Sequence, residues 1–233
     1  MILLKPVRSK IYLTEVFATD RLERQARRIV RTPSVRTLDL LWSTSELSSV
    51  VLLALDLEAL EVSSVGLNVH ETGLQFSTDR QADPALPSLG ERHLGVALSR
   101  HAVVVVPGFL ATRSDGVVVS LARGGSDLSA VLLAIGLQAA RCELVKDLPG
   151  YFEEDPHENP RTLHIPSLSF EDAIHMAEEG CELVERRALL AAVEARLPLL
   201  IRSVDERAPV TVISSRSKSG SVDLHDGPVA AQA

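Results

Sequence analysis

Leu121-Ala122-Arg123-Gly124-Gly125-Ser126-Asp127 is the stretch whose reading decides the fold. Ahead of it, four valines, Val103 to Val106, run into Pro107-Gly108-Phe109, and a turn at Ser114-Asp115-Gly116 returns the chain as Val117-Val118-Val119. Behind it lies an apolar helical run over 128–140. Two adjacent glycines let backbone amides approach a ligand with no Cβ in the way. The helix that follows directs its partial positive end into the same space. Arg123 can fork onto a carboxylate or phosphate, and Asp127 adds an opposite charge close by. The plainer reading of the same residues is a turn in which Ser126 or Asp127 caps the helix and Arg123 faces water.

Working outward, 233 residues are enough for one domain with a substantial core. Apolar residues make up 45% and aromatics 3%, so that core is aliphatic. A net charge of −7, with no basic block and no interleaved aromatics, disfavours nucleic acid and anionic membrane as partners. The apolar start Ile2-Leu3-Leu4 is too short for a signal peptide. The most apolar run, 50–60, is interrupted by Asp56 and Glu58 and is not expected to span a bilayer. Cys142 and Cys181 are the two cysteines, which points to free thiols and a cytoplasmic setting. The seven histidines show no metal-ligand spacing, so no metal site is expected from them. No nucleophile elbow supports Ser-His-Asp catalysis.

The pattern predicts a strand over 2–5 ended by Pro6, then an Arg-rich helix over 15–30 closed by Pro33. Ser43-Thr44-Ser45-Glu46 offers N-caps for a helix over 47–60, a helix as suited to an interface as to a core. Strands are predicted at 67–69 and 74–77, a surface loop at 79–90, and a helix over 91–100. That helix feeds a strand over 102–106, whose unbroken valines suit a sheet covered on both faces. Cys142-Glu143-Leu144-Val145 reads as a strand and Lys146-Asp147-Leu148-Pro149-Gly150 as its turn. An acidic loop over 151–161, helices at 168–178 and 183–196, and strands at 198–202 and 209–213 complete the domain. Strands alternating with helices argue for a three-layer αβα sandwich with a mostly parallel central sheet. The domain is expected to occupy 1–213, and 214–233, rich in Ser, Gly and Ala, reads as a disordered tail.

From Val104 to Ile213 the chain resembles the catalytic domain of aspartate kinases, in the amino acid kinase family. The motifs that carry this are Pro107-Gly108-Phe109, Arg123-Gly124-Gly125-Ser126-Asp127, Lys146-Asp147-Leu148-Pro149-Gly150 with Asp155-Pro156, Leu168-Ser169-Phe170-Glu171-Asp172-Ala173, Arg186-Arg187-Ala188, and Ala208-Pro209. Each is weak alone, and their shared order is the signal. The resemblance implies ATP- and magnesium-dependent phosphorylation of the side-chain carboxylate of aspartate. Such chemistry rests on holding two anions in line with positive charge on the moving group. It also implies that Arg123 grips the substrate α-carboxylate beside Gly124, Gly125 and Ser126, and that Asp127 organises the reacting centre. Glu46, aligned through Ser45-Glu46, would meet the substrate ammonium; its plainer reading is a carboxylate favoured by a helix N-terminus.

The nucleotide half departs from the family's pattern. Where relatives open with Lys-Phe-Gly-Gly-Thr-Ser, this chain has Lys5-Pro6-Val7-Arg8-Ser9-Lys10, keeping the lysine and losing the glycine pair. The family's Thr-Asp-Val-Asp-Gly loop reads Lys146-Asp147-Leu148-Pro149-Gly150, and His157 stands where an arginine follows Asp-Pro. A nucleotide-binding lysine is replaced by Glu182, for which Lys146, Arg8 or Lys10 could compensate. The resemblance implies Lys5 as the phosphoryl-stabilising cation and Lys146, Asp147, Gly150 and His157 as the nucleotide side. The helical insert before Glu46 is shortened, and feedback domains are not expected within the polypeptide. Two functions are therefore expected side by side. One is an aspartate-kinase-like phosphotransferase; the other is a degenerate kinase that binds an amino acid as a sensor, or as partner of an active kinase subunit. A homodimer is implied by the family.

Overall fold

Beginning at the amino terminus, β1 (Ile2–Leu4) and α1 (Val16–Ile29) lie where expected. The computed structural model describes residues 2–4, 16–76, 91–121, 124–181, 183–205 and 207–215. Lys5, Arg8, Lys10, Arg123, Glu182, the expected loop at 79–90 and the expected tail from 216 onward lie outside the described residues. Ser34, in extended backbone after Pro33, caps α2 (Val35–Ala59) by accepting the Thr37 amide. The helix expected from Leu47 thus starts at Val35. The serines and threonine taken as caps lie inside it, where Ser43 donates to the Leu40 carbonyl and Thr44 to the Leu41 carbonyl, both at 2.7 Å. Hydroxyls satisfied on the preceding turn do not interrupt a helix. Glu46 is consequently mid-helix, and the helix dipole gives no account of its carboxylate.

A second difference follows at β2 (Ser64–Gly66). The strand expected at 67–69 falls earlier, because Asn68 caps α3 (Val69–Thr72) in a capping box with Glu71. Gly66 is the close point between α2 and the sheet: a Cβ there would lie 2.9 Å from Val50 Cγ1. Next come β3 (Gln75–Phe76), α4 (Glu91–Arg100), β4 (Val103–Val106), and the hairpin β5 (Leu110–Arg113) and β6 (Val118–Ser120). The hairpin turns at Gly116, with Asp115 accepting the Val117 amide. Beyond the glycine pair run α5 (Gly125–Gly136), β7 (Cys142–Val145), β8 (Tyr151–Phe152), β9 (His164–Ile165) and β10 (Ser167–Ser169). The chain closes with α6 (Phe170–Glu178), α7 (Arg186–Ala195), β11 (Leu199–Arg202) and β12 (Thr211–Ser214). The acidic loop expected at 151–161 therefore begins in a strand, β8, paired antiparallel to β9.

The valines of β4 sort the layers by alternation. Val103 and Val105 pack with Val50, Leu53, Ala54 and Leu57 of α2. Val104 and Val106 join the main core with Leu94 and Ala97 of α4 and the apolar face of α5. That core continues through Cys142 and Leu144, Leu199 and Ile201, and Ala188, Leu189 and Ala192 of α7. The β4 group is ordered β1-β4-β2, and the carboxyl-terminal group β10-β12-β11-β7. Parallel pairs β2–β4, β7–β11 and β10–β12 are joined by antiparallel β1–β4 and β11–β12. This is the expected αβα sandwich. Helix α2 is, among the described residues, the one long and apolar enough by length and composition to cross a membrane. It nonetheless lays Leu38, Asp39, Ser45 and Val50 into the domain, while Leu40, Leu47, Val51 and Leu55 face outward.

Candidate functional site

The glycine pair opens α5 as expected, but the helix is capped by Gly124 itself, left-handed at φ 77°, and not by Ser126 or Asp127. Gly124 backs onto α7: a Cβ on it would lie 2.8 Å from the Cβ of Glu185. Glu185 caps α7, accepting the Ala188 amide at 3.0 Å and the Arg187 guanidinium at 2.6 Å. Arg187 in turn donates to the Leu121 carbonyl at 2.8 Å, tying α7 to the strand end that feeds the glycines. Part of the pair's closeness is therefore used within the chain, by Glu185.

Asp127, in the first turn of α5, is 7% exposed. Its carboxylate accepts the Lys146 ammonium on both oxygens, at 2.6 and 2.7 Å, and the Glu185 amide at 3.1 Å. Lys146 reaches it from the carboxyl end of β7, where its own amide donates to Arg202. Three elements thus converge on one carboxylate at the carboxyl edge of the sheet, the side on which open α/β sheets bind ligands. Two residues named from sequence, Asp127 and Lys146, are brought into direct contact.

A second group comes from α2: Asp39 and Trp42, seen only in the structure, and Glu46, named from the sequence. Asp39, 3% exposed, accepts the Ser120 amide at 3.2 Å and forms no ion pair among the described residues. Trp42, three residues on, meets Phe109 edge-on at 5.6 Å. Its indole N–H is buried with no hydrogen-bond partner among the described residues. Glu46 completes the i, i+3, i+7 stripe, so it lies on the same side of α2, half-buried. Phe109 holds a left-handed φ of 64°, a conformation costing a non-glycine residue roughly 1–3 kcal/mol. It is held there by its amide donating to Ser129 Oγ at 3.0 Å, by Leu121 donating to its carbonyl at 2.8 Å, and by Trp42. Ser129 is wholly buried and donates to the Ser126 carbonyl. The strained Phe109 joins the α2 stripe to the start of α5.

Among the described residues, no hydrogen bond joins Asp147, Gly150 or His157 to the Asp127–Lys146 pair. Asp147 is exposed. His157 is exposed too, its amide donating to Asp155 in the loop after β8. Gly150 is buried beneath Thr211, with His164 Nε2 2.9 Å from where a Cβ would lie. Tyr151, which no motif marked, is 1% exposed. Burial, then the neighbouring Cys181 and Asp127 charges, push the Tyr151 phenol upward. Burial pushes the Cys142 thiol up to about 12, with Asp127 and Glu143 adding to the effect. Cys142 and Cys181 are both free. Among the described residues no group of three or more His, Cys, Asp or Glu is placed to share a metal ion.

Residues 12–203 match the model of the amino acid kinase family. The chain is 33% identical over 196 residues to an aspartokinase of Thermus thermophilus, covering 84% of this chain and 48% of that one. It is 30% identical over 195 residues to the aspartokinase of Geobacillus stearothermophilus, again 84% of this chain and 48% of the relative. It spans about half the length of these curated relatives. Among solved structures, E. coli aspartokinase III in complex with aspartate and ADP superposes with a TM-score of 0.75 at 28% identity, over 85% of this chain and 45% of that one. UMP kinase from Ureaplasma parvum, at 13% identity and a TM-score of 0.55 over 82% and 76%, shares the fold.

Proposed function

The chain belongs to the amino acid kinase family, and on that premise we propose that it binds aspartate or a related small amino acid between α2 and the start of α5. The observation that carries this reading is the Asp39–Trp42–Glu46 stripe, set against Ser120 and Phe109. Carboxylates on the α2 side suit an ammonium. The amides and dipole at the start of α5, with Ser126 in its first turn, suit a carboxylate. Arg123, adjoining Gly124 in the chain, is assigned the α-carboxylate. A related protein, E. coli aspartokinase III, was solved with aspartate and ADP bound, which supports the choice of ligand. The two free thiols support a cytoplasmic setting.

Calorimetric titration with aspartate alone tests the reading. Saturable binding without nucleotide is expected, weakened in Asp39→Asn and in Glu46→Gln. Absence of binding by the wild-type chain would refute it.

The second reading is phosphorylation of the ligand's side-chain carboxylate, with Lys5, Lys146, Asp147, Gly150 and His157 on the nucleotide side. It is favoured by the ammonium of Lys146 at the sheet's carboxyl edge, where positive charge would meet a phosphoryl group. ATP, when bound, would supply that group. Trapping an acyl phosphate with hydroxylamine separates the two readings. Aspartyl hydroxamate formed from aspartate and ATP establishes transfer. Aspartate binding with no hydroxamate leaves an amino-acid sensor or the partner of an active kinase subunit.

A further inference from the structure

The Lys146–Asp127 contact bears on how the site would hold an anion. A divalent ion, as the family's ATP chemistry implies, does not fit the described residues around Asp127. Both carboxylate oxygens already accept the Lys146 ammonium, at 2.6 and 2.7 Å, and the Glu185 amide donates to the same group at 3.1 Å. A magnesium ion needs near-octahedral oxygen ligands at about 2.1 Å, and on this carboxylate it would sit against an ammonium. Magnesium at phosphates is usually held by one or two carboxylates together with phosphate oxygens, and the Asp127 carboxylate has both of its oxygens taken. Asp147, next in the chain to Lys146, is exposed.

The ammonium is placed to do the cation's work. It is compact and has three donors. Two are met by the Asp127 oxygens, which leaves one for a ligand oxygen. The Lys146 side chain keeps 17% of its surface exposed, against 9% for Asp127, so the open part of the pair is the cation. Asp127 belongs to the first turn of α5, so an anion reaching Lys146 also approaches the positive end of that helix. We propose that Lys146, pinned by Asp127, is the anion-binding cation of this site and that it binds a phosphate-type oxyanion without a divalent metal. The proposal rests on the reading of this edge as the family's reactive centre, and it is independent of where the amino acid binds.

The test is calorimetric titration of the whole chain with inorganic pyrophosphate, in EDTA and again in excess magnesium chloride. For the wild type the expected affinities agree within about twofold between the two conditions. Lys146→Thr is expected to lose at least about tenfold in EDTA. Lys146→Arg, which keeps the charge, is expected to bind in EDTA as the wild type does. Wild-type binding that requires magnesium overturns the proposal. So does binding in neither condition, and so does Lys146→Thr binding as tightly as wild type in EDTA. If Lys146→Thr fails to fold, the wild-type comparison and Lys146→Arg still decide. Failure of aspartate to bind in a separate titration would refute the amino-acid reading and leave this comparison standing.

Discussion

Asp127 is a nearly buried carboxylate whose charge is met, among the described residues, by Lys146, so the pair should behave asymmetrically under mutation. Removing one partner of such a pair leaves an uncompensated charge in low dielectric, a loss of about 3–5 kcal/mol. Lys146→Met is expected to lower stability by that order in urea unfolding. Adding Asp127→Asn to it should recover most of the loss, because no bare charge then remains. If the single and double variants were equally unstable, the pair would not be the cause. Cys142 gives a second test: with its thiol pushed up to about 12 by burial, it should resist alkylation in the native protein at pH 8 and react on denaturation. Peptide mass mapping after iodoacetamide reads this directly. Asp127 and Lys146 were each legible in the sequence as site candidates, but their contact was not. A lysine 19 residues along reaches the carboxylate only because β7 ends beside the start of α5. Asp39 and Trp42 carry no such signal, because Ser43-Thr44-Ser45 reads as a helix start and leaves both residues ahead of it.

Helix α2 shows why. A cluster of Ser and Thr before an apolar run carries the signature of an N-cap, yet in α2 those hydroxyls bond to carbonyls three residues back. The cap is Ser34, after Pro33, where proline had already marked the end of α1. Ser34→Ala should therefore cost about 1 kcal/mol, whereas Thr44→Ala should change stability by less than about 0.5 kcal/mol. Thermal or urea unfolding of the two variants distinguishes the two helix starts. The unbroken valines of β4, by contrast, were fully legible, since a strand buried on both faces has no polar side. The junction of β8, β9 and β12 adds a pH dependence. Thr211 Oγ1 accepts the Tyr151 amide, donates to the Ile165 carbonyl and lies 3.1 Å from His164 Nε2. Burial holds the His164 imidazole below its ordinary value of 6.5, so protonation favours the unfolded chain. Its contribution to stability is fully present above that value and is lost as pH falls through the lower folded value. Melting temperatures measured downward from neutral pH should fall less steeply in His164→Asn than in the wild type.

For the whole molecule, the two halves of the proposed site stand on different footings. The proposed amino-acid side is formed by α2, the β5–β6 hairpin and α5, around a backbone strain at Phe109 that three contacts maintain. On the proposed reading the phosphate side is centred on Lys146, held by Asp127, while Gly150 packs beneath Thr211 and Asp147 and His157 are exposed. Composition and periodicity gave the sandwich because layer architecture follows from which strands are apolar on both faces. They could not give the proposed division of the site, which depends on side chains meeting from α2, α5, β7 and α7. A crystal structure of the chain grown with aspartate is the most direct test of that division. The ligand is expected with its ammonium toward Asp39 and Glu46, its α-carboxylate at the start of α5, and Lys146 still on Asp127. Aspartate bound away from α2, or Lys146 drawn off Asp127 by the ligand, would contradict the account.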